Sequence, residues 1–367
     1  MDRRAFLGLV AAASAVAITS RANDDPDPYQ VLVHRELRRI GHPAMAGAVV
    51  MKDRVLGATG WGYRHKYRGG KVNADTVFRI ASITKTFSGL ALLQLRDAGK
   101  LTLDDPLEKH LREADSFAYP SSDTPPITLR HLVTHTSGIP RNATAGLSEG
   151  GLLRSLKGVR LDHTPGEHTA YSNLAMGLVG PVVHRVSGQP FREYMQSNVF
   201  TPLGMTSCAW EARDVDAKRL AWGNEKKKDG EKEGEIEPVD TEWRMGAAEA
   251  FGGLYASVND MAKMVMLQLS ESQTTGADSP VLKRTSLKES HTQATSGQPE
   301  AQKYGVNWWL GDEAVWHSGA TNEYSASVVM LPSKGVAAIV LSSYADVATI
   351  EAMARRIAKK AVDLPPA

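Results

Sequence analysis

Cysteine is almost missing from this chain. Cys208 is the only one in 367 residues, so no internal disulfide forms and the residue reads as packing. No Cys/His cluster shows metal-ligand spacing, and neither a metal nor an organic cofactor is expected. An excess of charge is lacking too: 43 basic residues nearly balance 41 acidic ones, leaving a formal +2. That balance gives no general basis for binding nucleic acid or an anionic membrane. Internal repeats are not found. At 42% hydrophobic and 23% charged, the chain is neither disordered nor fibrous, and its length suits one large or two intimate domains with ample core.

The apolar run from Ala5 to Ile18 is too short to span a bilayer comfortably. Preceded by Arg3 and Arg4, it reads as an export signal over residues 1–22, with cleavage after Ala17 or Ala22 and no lipobox cysteine. Asp2-Arg3-Arg4-Ala5-Phe6-Leu7 resembles the twin-arginine signal, whose cargo crosses the membrane folded. An ordinary secretory signal, which needs only basic residues there, is the alternative. The mature protein is expected in the periplasm or outside the cell, with no stable membrane span.

A linker over 23–28 precedes a helix whose face is marked by Val33, Leu37 and Ile40, ending at Gly41 and Pro43. Ala44 to Met51 and Val55 to Gly62 read as a hairpin about Lys52-Asp53-Arg54. Near the other end, 304–310, 314–317, 324–331 and 336–342 read as strands. The last two flank a Pro332-Ser333-Lys334-Gly335 turn, and a helix over 347–361 follows. Strand signals at both ends, with few from 100 to 250, predict an α+β fold. One antiparallel sheet, flanked by helices, comes from residues 29–98 and 250–367, and a mainly helical region, 99–249, is inserted. Within it, helices are expected at 127–136, at 174–187 with a kink at Pro181, and at 191–200. The charged run Glu225 to Glu237 reads as a solvated loop, and 270–302 as a polar surface excursion with a weak helix at 281–290.

The chemistry gathers at Ser82-Ile83-Thr84-Lys85. Ile83, Phe87, Leu90, Ala91 and Leu95 recur at helical spacing, so Ser82 starts a buried helix that stops at Gly99. Three residues is about one turn, which puts Lys85 on the face of Ser82. Burial and the positive end of the helix dipole both lower the pKa of such a lysine. A less-charged amine can take the serine proton and free the oxygen to attack a carbonyl. An arbitrary Ser-x-x-Lys is more simply a helix cap beside a solvent-facing lysine, so other residues must decide. Tyr171-Ser172-Asn173 precedes a helix. Tyr171 can carry a proton between nucleophile and leaving group, and Asn173 can hold Lys85 or the substrate; packing and capping are the plainer roles. In Trp316-His317-Ser318-Gly319-Ala320, which follows a strand, Gly319 permits a close approach. The amides of Ala320 and Ser82 can then face one developing oxyanion. His317 alone is more often a satisfied polar side chain.

Ser82-x-x-Lys85, Tyr171-x-Asn173 and His317-x-Gly319 each occur once, in that order. They are accompanied by Leu101-Thr102-Leu103-Asp104-Asp105-Pro106, Leu132-Val133-Thr134-His135-Thr136-Ser137-Gly138, Pro202-Leu203-Gly204-Met205 and Gly252-Gly253-Leu254-Tyr255. On these motifs, over nearly all the mature chain, the sequence resembles the serine β-lactamase and penicillin-binding family. The nearest branch is the class C β-lactamase-like one, with family VIII carboxylesterases and D-amino-acid peptidases. The resemblance implies the β-lactamase/transpeptidase-like fold and an acyl-enzyme. In it Ser82 attacks, Lys85 and Tyr171 handle the proton, and Asn173 orients them and the substrate amide. The Ser82 and Ala320 amides bind the oxyanion, and water releases the acyl group. His135 falls in a stretch that the resemblance marks as structural.

Class C β-lactamases carry Lys-Thr-Gly where this chain has His317-Ser318-Gly319; Thr321 and Asn322 match, but the glycine that follows is Glu323 here. Without the lysine, and with a carboxylate at the cleft mouth, anionic β-lactams and peptide termini are disfavoured. His317, Ser318, Gly319, Thr321, Asn322 and Glu323 are therefore expected to line a site for a neutral or cationic ester or amide. Trp308 or Trp309, with Trp316 and Tyr324, offers an aromatic wall or packs on both sides of the sheet; Tyr119 and Trp243 are further loop candidates. The enzyme alternative is a peptidase on D-amino-acid or peptidoglycan-derived peptides, or a weak β-lactamase. From another class comes a binding protein that keeps the fold with vestigial chemistry.

Overall fold

The computed structural model describes residues 27–142, 146–227, 234–239, 244–270, 278–293 and 303–365; the expected signal at 1–22 lies outside them. In chain order, α1 (Pro28–Ile40), β1 (Ala44–Met51), β2 (Arg54–His65), β3 (Gly69–Lys71), β4 (Val77–Arg79) and α2 (Thr84–Asp97) come first. Short helices fill the middle: α3 (Leu107–His110), α4 (Leu129–Val133), α5 (Glu149–Arg154), α6 (Asn173–Gly177), α7 (Val179–Ser187), α8 (Phe191–Met195) and α9 (Thr201–Leu203). A ribbon of β5 (Asn224–Lys226) and β6 (Ile236–Pro238) follows, then β7 (Tyr255–Ser257), α10 (Val258–Leu269) and α11 (Arg284–Ser290). The chain closes with β8 (Trp309–Leu310), β9 (Val315–Ala320), β10 (Ser325–Leu331), β11 (Val336–Ser342) and α12 (Val347–Val362).

Seven strands form one antiparallel sheet in the order β3-β2-β1-β11-β10-β9-β8. Its centre joins the two ends of the chain, Met45 opposite Ser342 and Met51 opposite Val336. Both faces of these central strands are covered, which is why they read as continuous apolar runs. Val336, Ala338 and Val340 meet α1 and α12 on one side, while Ala337, Ile339 and Leu341 join the larger core shared with α2 and α10 on the other.

Several elements differ from their sequence limits for identifiable reasons. Asp27 accepts the Tyr29 amide and Pro28 opens the turn, so α1 starts five residues before Val33. The helix expected at 127–136 is only α4, because His135 adopts φ +56°. That expected at 174–187 splits into α6 and α7: Pro181 has no amide to donate to Gly177, where α6 ends. The strand expected from 304 shrinks to β8, since Asn307 turns the chain at φ +59° and Gly305 N bonds Trp308 O. Part of the charged run at 225–237 is the β5–β6 ribbon rather than loop.

Glu36 on α1 is 3% exposed and binds α12 through Arg356 Nε at 2.8 Å and Lys360 Nζ at 2.7 Å. Burial opposes its charge, but the hydrogen bonds from Lys360 and Arg356 outweigh that and lower its pKa to about 2. A carboxylate held below its ordinary 4.5 adds stability that is full above that pH and is lost as pH falls toward about 2. Glu36→Gln is therefore expected to cost about 2 kcal/mol at neutral pH. In paired thermal melts the gap to the parent protein should close as pH falls through that window.

Candidate active site

Ser82 lies in a single 3-10 turn, Ala81–Ile83, that runs directly into α2. Ala81 adopts φ +49°, a left-handed conformation that costs a non-glycine residue roughly 1–2 kcal/mol. The turn is held from outside. A Cβ on Gly319 would come within 2.6 Å of both Ile80 O and Ser82 N, so β9 reaches the turn only because it has no side chain there. Thr321 N bonds Tyr324 O, and Trp316 pairs with Trp309 of β8 on the other edge. By the alternation of an antiparallel ladder, the Ala320 amide points to the free edge of β9. The Ala320 amide thus follows directly on the Gly319 contact with Ser82, on the strand edge that β10 leaves open.

Lys85 Nζ lies 3.0 Å from Ser82 Oγ and donates to Phe251 O at 2.7 Å. The lysine is fully buried. Burial lowers its pKa well below the usual lysine value, and the Arg141 charge lowers it further. No acidic side chain among the described residues forms an ion pair with it. Lys85 also sits 4.9 Å above the centroid of the Tyr171 ring, and Arg141 lies 5.0 Å from that centroid. Burial pushes the Tyr171 phenol pKa up, with the neighbouring Ser82 hydroxyl and the Arg141 charge only partly offsetting this.

The expected helix cap at Asn173 falls instead to Ser172, whose hydroxyl accepts the Ala175 amide. Asn173 Oδ1 is left buried without a hydrogen-bond partner, an acceptor available to a ligand. His135 packs against Tyr171, centroids 4.2 Å apart and ring planes tilted by 40°, and its Nδ1 accepts the Ser172 amide. Burial lowers its pKa well below the usual value, Lys85 adding to the effect. The ring packs against the tyrosine with its own charged form disfavoured.

The β9 residues divide between two faces. His317 is fully buried, its Nδ1 donating to Ser318 O at 2.9 Å and its Nε2 accepting from Tyr304 at 3.1 Å. Burial, then Lys85, hold its pKa at about 3. Ser318 does not face Ser82 with its side chain: Oγ is 2.8 Å from Glu351 on α12 and 3.0 Å from Ser327 Oγ. Glu323, expected at the cleft mouth, is 8% exposed. Gly223 covers it so closely that a Cβ there would lie 2.6 Å from Glu323 Cβ, and Thr321 Oγ1 donates to its carboxylate at 2.9 Å. Asn322 is exposed. Of the aromatic candidates, Trp309 stacks on Tyr171 with ring planes 8° apart. Trp308 packs on His291, Tyr324 donates to Ala221 O, Trp316 lies under Arg355, and Tyr119 accepts the Ile127 amide. Trp243 lies outside the described residues. Three site groups carry no sequence signal of their own: the Phe251 carbonyl, Tyr304, and Arg141, whose only hint is that it follows the 132–138 motif.

The family model described as Beta-lactamase matches residues 32–362. Protein flp of Staphylococcus aureus strain COL is 26% identical over 332 residues, 88% of this chain and 64% of that protein. The chain thus spans just under two thirds of that relative. The D-alanyl-D-alanine-carboxypeptidase/endopeptidase AmpH of Escherichia coli K12 is 26% identical over 286 residues, 73% of this chain and 71% of that protein. Among solved structures, a beta-lactamase/D-alanine carboxypeptidase from Pseudomonas syringae superposes with a TM-score of 0.73 at 20% identity, covering 91% of this chain and 99% of that one. The octameric penicillin-binding protein homologue from Pyrococcus abyssi gives 0.69 at 24% identity, covering 91% and 76%. These likenesses confirm the α+β fold.

Because a Cβ on Gly319 would lie 2.6 Å from Ser82 N, Gly319→Ala is expected to push β9 off the turn and spread the Ser82 and Ala320 amides. Labelling of Ser82 by a fluorophosphonate should slow about 100-fold, with the circular dichroism spectrum unchanged.

Proposed function

This chain belongs to the beta-lactamase family, and from that premise we propose that it is a serine hydrolase working through an acyl-enzyme on Ser82, with a neutral or cationic ester or amide as substrate. The observation that carries this reading is the buried amine of Lys85, 3.0 Å from Ser82 Oγ and without an ionic partner among the described residues. Lys85 is the resting base and Tyr171 a neutral phenol, since burial moves their pKa values in opposite directions. As Ser82 Oγ bonds to the acyl carbon, its proton passes to Lys85. Tyr171 then gives its own proton to the leaving oxygen or nitrogen and regains one from Lys85. The Ser82 and Ala320 amides hold the negative charge that develops on the carbonyl oxygen. Water enters by the reverse route and restores the serine.

The substrate class rests on His317. Standing where class C β-lactamases carry lysine, it is neutral at physiological pH and adds no positive charge to the cleft. Glu323 adds less than its sequence position indicated, being covered and hydrogen-bonded. A second reading, a peptidase on peptides ending in a free carboxylate, is favoured by Arg141, an exposed cation beside Tyr171, and by the AmpH relative. Export is proposed on the resemblance of residues 1–22 to a signal sequence; no helix among the described residues is long and apolar enough to cross a membrane.

Intact mass after fluorophosphonate treatment should show one adduct, absent in Ser82→Ala. The labelling rate should rise with pH through a pKa below the ordinary lysine 10.5, and Lys85→Ala should lower it by about 1,000-fold or more. No adduct on folded protein would leave the fold serving as a binding protein. Arg141→Ala separates the two substrate readings. For an esterase, turnover of small neutral esters stays within about twofold; for a carboxylate-reading peptidase, KM for a D-alanyl-D-alanine peptide rises about tenfold, the worth of one charge-assisted contact.

A further inference from the structure

The loop between α5 and α6 brings His163, Glu167 and His168 together, with one ligand atom from each lying within 4.8 Å of the others. The absence of metal-ligand spacing in the sequence does not describe this cluster, because a loop rather than a helix or strand sets its geometry. His163 is 8% exposed. Its Nδ1 lies 3.0 Å from Thr164 O and so carries the proton. Its Nε2 is consequently a bare lone pair, buried and without a hydrogen-bond partner. An imidazole fixed by N–H to carbonyl on one side, with a free lone pair on the other, is how a protein orients a metal-binding histidine. The His168 ring lies 3.8 Å from that of His163, and Glu167 has one oxygen engaged by Thr164 N, leaving the other. His131 also borders this loop, its Nε2 3.4 Å from the place of a Gly166 Cβ. Its Nδ1 accepts the Thr128 amide, so its Nε2 holds the proton and does not count as a ligand.

We propose that His163 Nε2, His168 and Glu167 form a zinc site with a fourth position open to water, distinct from the Ser82 centre. Two imidazoles and one carboxylate suit zinc, whose tetrahedral ligand atoms stand roughly 3.3 Å apart. The cluster reaches that spacing by turning the exposed Glu167 and His168 side chains onto the fixed lone pair of His163. The site has a structural address. Gly166 N bonds Thr136 O and Ala170 N bonds His135 O, both at 2.7 Å, so the loop is tied to the segment that packs against Tyr171. Tyr171 itself comes three residues after His168. A bound zinc ion would pin the conformation of the chain leading into it.

The test uses untagged full-length protein freed of metal with a chelator, titrated with zinc by calorimetry and with cobalt(II) by its visible absorption. One equivalent is expected to bind, and Tm should rise with free zinc concentration. His168→Ala and Glu167→Gln, both exposed, should each weaken binding at least about tenfold. His184→Ala, at another histidine paired with a glutamate, should leave binding unchanged. No saturable binding at millimolar metal, or binding that survives His168→Ala, would overturn the proposal.

Discussion

A contact between two backbones, with room for no side chain, governs this molecule's cleft. Gly319 of β9 lies against Ile80 and Ser82, and that single approach sets the serine beside the open edge of the sheet. The left-handed Ala81 is the strained partner of the contact. Strain in a turn persists only where its surroundings over-determine it. Here α2 on one side and β9 on the other do so. Moving either element would separate the serine from the strand edge.

The groups beneath that contact share a second property: burial disfavours the charged form of each. Lys85, His135 and His317 are all shifted toward their neutral forms, each lowering or being lowered by another. Tyr171 is moved toward its neutral form as well. The cation at the edge, Arg141, is exposed and solvated. A proton moved among uncharged groups creates charge only during transfer, when fixed dipoles can act on it in a poorly screened interior. Three neutral rings also leave Lys85 without a counter-ion, which disfavours its charged form further.

Local chemistry was legible in the sequence, and contacts made from a distance were not. Ser82 and Lys85 meet because three residues make one helical turn, and the central strands announce themselves because both their faces are buried. Even the closeness of Gly319 could be read from residue type. The inward or outward direction of Ser318 depended on Glu351, 33 residues further on, and the burial of Glu323 on a glycine 100 residues earlier. No pattern within either segment encodes those neighbours. The division of 174–187 is a milder case: Pro181 was recognised, but the hydrogen bond it withholds belongs to Gly177, so the break falls a turn earlier.

The pairing of β1 with β11 orders events in time as well as in space. β1 is among the first strands made, yet its partner lies nearly three hundred residues later. Until β11 emerges from the ribosome, β1 and β2 form a hairpin with one apolar edge unpaired, and the helices of the middle region have no sheet centre to rest on. Such long-range closure is slow, and an unpaired edge invites pairing with other chains. A growing or truncated chain of this kind is therefore a natural client for chaperones, and the sheet's last strand acts as the latch that ends that dependence.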